Sequence, residues 1–291
     1  MRTGPARVLW PQPRIAAVVC DIDGTLLTSR HTLTNGVREA VQAAVRGGAR
    51  FLLASARPPA GIVYLYDQLG IPAEPYVALN GALVMSARGG RLRRAVMPGP
   101  AAIGVLDLAA SCGLTCNGFV DGRWLASTRD GWVAEEERAT GCTAEVVGDL
   151  RPYGGEDFEK ISLMGPLGRI RAFEIALRSR FDLFQSVAAV RSNPCYLEVT
   201  SRAASKQVAV LWLLGRLGIR PEAAMAIGDG MNDIEIIQAL GLGVALAHAA
   251  PAVRAAARAV APSNDDDGVA HALRTWVQRD TADRRGGGEG R

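Results

Sequence analysis

The chain has 291 residues, 48% of them apolar and 21% charged, with a formal net charge of +4. That length suits about two domains with a sizeable core, and the apolar fraction excludes a mainly disordered chain. The surplus charge sits at the ends: the first 14 residues hold three arginines and no acid, residues 279–291 hold four arginines against three acids, and the rest is neutral. No basic face of a nucleic-acid binder is therefore expected. No apolar run reaches the ~18 residues of a membrane span. Met1 to Arg14 has no apolar core of signal-peptide length, so a cytoplasmic protein is expected. Cys20, Cys112, Cys116, Cys142 and Cys195 match no zinc-ligand spacing and read as small buried thiols in a reducing compartment. Lys160 and Lys206 are the only lysines among 33 basic residues, which singles out both.

Ile15–Cys20 is a continuous apolar run, the mark of a strand buried on both faces of a parallel sheet. Thr34 can cap a helix running to about Arg46, stopped by Gly47-Gly48. Arg50–Ala54 reads as a strand, Pro58-Pro59 opens a helix to about Leu69, and Tyr76–Leu79 is a third strand. This β-α-β-α-β alternation predicts a doubly wound, mostly parallel, Rossmann-like α/β core. Hairpin signatures then appear at Arg88-Gly89-Gly90 and Asp121-Gly122. They are mixed with predicted helices at Pro100–Cys112, Trp132–Thr140 and Leu167–Arg180, and predicted strands at Lys160–Met164 and Phe181–Val187. The mixture suggests an inserted α+β domain at residues 84–192. The α/β rhythm returns with a strand at Tyr196–Val199, a helix at Ser205–Leu217, a strand at Ala224–Ile227 and further alternation to Gln278. The predicted core is thus discontinuous, 14–83 and 193–278, with flexible termini at 1–13 and 279–291.

In an open α/β sheet, ligands bind outside the carboxyl ends of the strands. Asp21-Ile22-Asp23-Gly24-Thr25 and Asp229-Gly230-Met231-Asn232-Asp233 both stand at such ends. Two acidic clusters there can converge on a hard cation such as Mg²⁺, which relieves their mutual repulsion and neutralises an incoming phosphate. Ser55 and Asn80 follow two other strands, and Lys206 opens a helix, where its charge could reach a phosphate. A metal, a hydroxyl and a lysine together suit phosphoryl transfer. The glycines at 228, 230, 241 and 243 form no dinucleotide fingerprint.

With these motifs in order, the chain resembles the haloacid dehalogenase-like phosphatases, specifically the Cof-type subfamily with a large α/β cap (type IIB). Asp21-Ile22-Asp23-Gly24-Thr25-Leu26 stands for its first motif, Ser55 in Ala54-Ser55-Ala56-Arg57 for its second, Ser205-Lys206 for its third and Gly228–Asp233 for its fourth. Asn80-Gly81-Ala82 and Ser263–Val269 are similar to recurrent subfamily segments. The resemblance implies that Asp21 attacks phosphorus and forms an aspartyl-phosphate, while Asp23 protonates the leaving oxygen and later activates water. It implies that Ser55 and Lys206 hold the phosphoryl group, with Asn232 orienting it. Mg²⁺ would sit on Asp21, the Asp23 carbonyl and Asp229, with Asp233 completing or supporting the shell. The second motif reads ASAR where many relatives have ATGR, and Gln207 follows Lys206 where glycine is common.

The expected activity is Mg²⁺-dependent hydrolysis of small phosphorylated metabolites, sugar phosphates or phosphorylated cofactors and their precursors, by a monomer or homodimer without nucleic-acid or membrane partners. A sugar phosphomutase and a non-catalytic ligand-binding protein on the same scaffold are the alternatives. Asn80 is a turn residue with a candidate site role, and Arg57 faces either the substrate or a carboxylate. Lys160 is expected on a strand of the insert with its amine in water. His31, His248 and His271 match no triad or metal spacing and are expected to be non-catalytic. Asp265-Asp266-Asp267 is expected to cap the last helix.

Overall fold

The computed structural model describes residues 14–155 and 157–277. The termini expected to be flexible, 1–13 and 279–291, lie outside these residues. β1 (Ala17–Cys20) is buried along its whole length, as its unbroken apolar sequence requires. Val18 and Cys20 face one apolar layer and Ala17 and Val19 the other, the two-residue period of a strand. α1 (Asn35–Arg46) starts at Thr34, whose hydroxyl accepts the Val37 N–H at 3.1 Å. β2 (Arg50–Leu53), α2 (Ala60–Leu69) and β3 (Tyr76–Ala78) follow. β4 (Leu83–Met85) and β5 (Arg91–Arg94) form an antiparallel hairpin on β3.

The chain crosses into a second sheet at Met97, which pairs with Phe158. That part comprises α3 (Gly99–Ser111), β6 (Thr115–Val120), β7 (Arg123–Ala126), α4 (Gly131–Thr140), β8 (Glu145–Val146) and β9 (Phe158–Met164). It continues through α5 (Leu167–Ser179), α6 (Phe181–Ser186), β10 (Val187–Asn193) and β11 (Tyr196–Ser201). The six strands lie in the order β10-β11-β9-β6-β7-β8, antiparallel except for the short β7–β8 pair. The return to α/β structure brings α7 (Lys206–Arg216), β12 (Ala224–Gly228), α8 (Ile234–Ala239), β13 (Leu242–Leu246), α9 (Pro251–Ala256), β14 (Ala259–Ala261) and α10 (Gly268–Trp276).

The core sheet is all parallel, in the order β14-β13-β12-β1-β2. A bridge between Ala54 and Val77 carries it on towards β3. Residues of α1, α2 and α10 cover one face, and residues of α7, α8 and α9 the other. This is the doubly wound architecture expected. Chain order reverses between β1 and β12, which makes the carboxyl ends of those two strands the crevice for a ligand.

Four expectations shift. The hairpin β4–β5 extends the sheet of β3 and packs Leu83 and Met85 into the core, so it does not start the insert. Tyr196–Val199, expected in the core, is β11 and pairs with β9 and β10. Its sequence alternates: Leu197 and Val199 enter the apolar layer under α3 and α5, while Glu198 and Thr200 face the other way. That is the alternation of an antiparallel strand with one apolar and one polar face, here both buried, and not the unbroken apolar run of a core parallel strand. We therefore place the insert at 97–201 rather than 84–192. Phe181–Val187, expected as a strand, is α6 up to Ser186. Its Leu183 packs on α3 while Phe181 stays exposed, so apolar content alone misleads there. Asp265–Asp267 does not cap α10 through side chains. Instead Asp267 accepts the Thr34 hydroxyl at 2.5 Å and Asp265 the Ser29 N–H at 2.8 Å, tying the segment to the start of α1 and the loop before it.

Candidate active site

Loops at the carboxyl end of the parallel sheet converge. Asp21 leaves β1 with its N–H on the Ile227 carbonyl at 3.0 Å, which sets the first acidic loop beside the one after β12. The chain then turns tightly, and the Leu27 N–H returns to the Ile22 carbonyl at 3.0 Å. Gly24 makes this turn at φ +76°, and a Cβ there would stand 2.4 Å from Asp229 Oδ2. Glycine is what lets the two acidic loops approach. Thr25 Oγ1 closes the contact by donating to Asp229 Oδ1 at 2.6 Å. Ser55, buried at the end of β2, accepts the Arg57 N–H at 3.1 Å; its own hydroxyl hydrogen has no acceptor among the described residues.

Lys206 is the first residue of α7, held by the Ser205 cap. Its ammonium donates to Asp21 Oδ1 at 2.5 Å and to Asp233 Oδ1 at 2.6 Å, with only 2% of the side chain exposed. An ammonium has three N–H donors, so one remains for a further oxygen. Asp233 Oδ2 accepts the N–H groups of Asp229 and Gly230 at 3.2 and 2.9 Å. Both Asp233 oxygens thus serve Lys206 and its own loop. Asn80 sits in the left-handed region at φ +53° and accepts Asn232 Nδ2 at 2.8 Å. A Cβ on Gly81 would come within 2.2 Å of the Ser205 carbonyl oxygen, so the Asn80-Gly81 turn packs directly on the start of α7.

Oxygens of Asp21, Asp229 and Asp233 all lie within 4.8 Å of one another. Burial pushes the Asp21 carboxyl well above the usual carboxylate range; Lys206 pulls it back, and Asp233 and Asp229 push it up further. Burial also raises Asp229, opposed by the Thr25 hydrogen bond and reinforced by Asp233. Burial would lower Lys206, but Asp21 and Asp233 more than offset it and keep the ammonium charged. An all-oxygen, crowded, buried acidic set of this kind fits a hard divalent cation. Asp23 differs. Burial would raise its carboxyl, but hydrogen bonds from Arg57 and His31 outweigh that and bring it down to about 2. Arg57 holds it from two nitrogens, at 2.7 and 2.8 Å.

The six-stranded sheet and α4 roof the site and leave a cavity of about 350 Å³. Arg57 reaches the Ala139 carbonyl on α4 at 2.9 Å. Lys160 answers from β9: its ammonium donates to the Ala56 carbonyl at 2.9 Å, pairs with Glu198 at 2.5 Å and lies over the Phe119 ring. Its amine is therefore buried at the junction of the two parts, not in water as expected. Of the candidate residues, Asp21, Asp23, Ser55, Arg57, Asp229 and Asn232 line this cavity, and Asn80 and Lys206 line an adjoining one that shares Asn232. Asp233 lies beneath, fully buried. His31 and His248, expected to be non-catalytic, stand 3.4 Å from Asp23 and 3.3 Å from Asp229, a proximity that their spacing in the sequence did not announce. Position just beyond the end of β13 could have marked His248. Nothing local marked Glu135 and Glu136, which line the cavity from α4.

Among the described residues, no helix is long and apolar enough to cross a membrane. The family of haloacid dehalogenase-like hydrolases matches residues 18–273. The chain is 30% identical over 267 residues to YxeH of Bacillus subtilis, a protein provisionally named a phosphatase, with 89% of this chain and 97% of YxeH covered. It is 26% identical to a haloacid dehalogenase-like hydrolase of Bacteroides thetaiotaomicron of known structure, with a TM-score of 0.81 over 90% of this chain and 99% of that one. A sugar phosphatase of subclass IIB shares the fold at 22% identity, with a TM-score of 0.78 over 89% and 98% of the two chains. Carboxylates, lysine and hydroxyl in one crevice, and a match of this length, lead to one assignment: the chain belongs to the haloacid dehalogenase-like hydrolases, in their Cof-type branch, and is a phosphatase.

Proposed function

We propose that the protein hydrolyses small phosphate monoesters, sugar phosphates or phosphorylated cofactor precursors, with Asp21 as nucleophile and Mg²⁺ as cofactor. The observation that carries this reading is the buried Lys206 ammonium lodged between Asp21 and Asp233 in the acidic crevice. It leaves one donor for a phosphoryl oxygen and fixes the Asp21 carboxylate in place. Ser55, with its hydroxyl hydrogen free, supplies a second donor, and Asn232, held by Asn80, a third.

Asp21, the Asp23 carbonyl and Asp229 would hold the metal, which when bound supplies positive charge against the phosphate and the crowded carboxylates. Asp233 supports this set by positioning Lys206 and the loop that carries Asp229. An oxygen of Asp21 attacks phosphorus, the bond to the leaving oxygen breaks, and Asp21 becomes an aspartyl-phosphate. Asp23 gives its proton to the leaving oxygen. Ionised again, it takes a proton from the water that cleaves the aspartyl-phosphate. The roof excludes bulk water during transfer.

Phosphate release from a panel of monoesters, with Mg²⁺ and with EDTA, tests the reading. Release that needs Mg²⁺ and is lost in Asp21→Asn is expected. Equal release in EDTA or from Asp21→Asn would sink it.

A further inference from the structure

Glu136 stands out on the roof because its carboxylate has neither a hydrogen bond nor an ion pair among the described residues. The other acids around it are neutralised. Glu198 pairs with Lys160 at 2.5 Å and accepts the Ser162 hydroxyl at 3.0 Å. Glu135 pairs with Arg138. The basic groups on the wall are committed too: Arg57 and His31 both hold Asp23. Glu136 lines the cavity from α4, and Asp21 and Ser55 line the same cavity. Burial pushes its carboxyl up to about 7, with Lys160 opposing and Glu198 reinforcing. A phosphate seated against Asp21 and Ser55 would place its leaving group in the cavity that Glu136 also lines.

We infer that Glu136 is a specificity-determining residue, an unpaired acceptor that selects leaving groups rich in hydrogen-bond donors, hydroxyl or amine, and rejects those bearing a second anion. The inference rests on the phosphate site proposed above. A donor-bearing group supplies the partner Glu136 lacks, and an amine also supplies the missing charge. Above about pH 7, where Glu136 is ionised, a carboxylate or second phosphate meets a like charge, and Arg57 and His31 are already paired with Asp23. The cavity, about 350 Å³, lies at the small end of ligand pockets and suits a leaving group of monosaccharide size.

The test compares three esters that share six carbons and a 6-phosphate: a hexose phosphate, its 2-amino analogue and the aldonate. p-Nitrophenyl phosphate, whose leaving group has no donor substituent, reports the phosphatase itself. At about pH 8.5, where Glu136 is ionised, the full chain with Mg²⁺ should show kcat/KM at least ~10-fold higher for the neutral and aminated esters than for the aldonate. In Glu136→Gln, of equal size, that gap should fall to within ~3-fold, and in Glu136→Lys it should reverse. Equal turnover of all three esters by the unaltered chain, or an unchanged gap in a folded Glu136→Gln, overturns the role of Glu136 while p-nitrophenyl phosphate hydrolysis keeps the phosphatase standing. No hydrolysis of any ester, p-nitrophenyl phosphate included, overturns the phosphate site and this inference with it.

Discussion

Replacing Lys206 by methionine removes one charge from a buried cluster of three. The side chains of Lys206, Asp21 and Asp233 are 2%, 9% and 0% exposed, so water cannot take over the lost contacts. Breaking a buried pair by deleting one partner costs about 3–5 kcal/mol, because the remaining charge is left without compensation. At roughly 2–4 °C per kcal/mol for a chain of this size, the melting temperature should drop by roughly 6–20 °C near pH 8. The sign of the pH dependence follows from Asp21, whose carboxyl is already raised by burial and rises further without Lys206. A carboxyl raised in the folded state stabilises it at low pH, and that stabilisation is lost as pH rises through the folded value. The deficit of Lys206→Met should therefore shrink as pH is lowered from 8 towards 5. Mg²⁺ should restore part of it, since the metal binds the folded acidic set and substitutes for the missing charge. Phosphatase activity should fall at least ~100-fold. Thermal melts at pH 5, 6.5 and 8, each with Mg²⁺ and with EDTA, measure all of this. A deficit that is the same at every pH, or that Mg²⁺ leaves untouched, would refute the electrostatic account.

Gly24→Ala places a methyl group against Asp229 in a backbone region costly for alanine, so activity should fall at least ~100-fold with about 1–3 kcal/mol of stability lost; near-normal kinetics would show that the two loops need not touch. Asn80→Ala removes the acceptor of Asn232 and puts alanine at φ +53°, and kcat/KM should fall about 10-fold while the protein stays folded; an unchanged kcat/KM would remove Asn80 from the site. In Arg57→Met, Asp23 loses the contact that brings it down to about 2. Stability from ionised Asp23 is present above its unfolded value of about 4 and lost as pH falls through its folded value. Without Arg57 the burial of Asp23 raises its carboxyl in the variant, so the advantage of the unaltered chain in urea unfolding should be greatest near pH 7 and shrink progressively as pH falls to 2.5; an advantage constant from pH 7 to 2.5 would deny the Asp23 contact any part in it.

The core was legible because its signals are local. Unbroken apolar strands, Thr34 as a cap and turn residues at strand ends each act within a few residues, and the acidic motifs sit where parallel strands stop. The identity of the floor residues followed from those strand ends. The roof was not legible, because what defines it is pairing between segments far apart in the chain. Lys160 is buried because β9 lies between β6 and β11 and turns that face to the core, which brings Glu198 and Phe119 to it. Nothing within ten residues of Lys160 announces either partner. The same holds for His31, whose role depends on the first loop folding back on Asp23, and for Glu136, one of three successive glutamates that differ only in the face of α4 they occupy.

The segment from Ala54 to Pro58 joins floor to roof. It presents the Ser55 hydroxyl to the crevice, takes the Lys160 ammonium on the Ala56 carbonyl, and sends Arg57 both to Asp23 and to the Ala139 carbonyl of α4. Roof and floor are thus linked by two charged donors on two neutral carbonyls, one donor from each side. Charge-assisted hydrogen bonds of this type are stronger than neutral ones and hold the roof at one place on the floor. Arg57 uses the rest of its guanidinium on Asp23, the Gly61 carbonyl and the Tyr64 hydroxyl. The Asp23 carboxyl is thereby held ionised, down to about 2, which suits it to the base role in the proposed mechanism. For Asp23 to act first as an acid, that mechanism requires the Arg57 pair to loosen when substrate is bound.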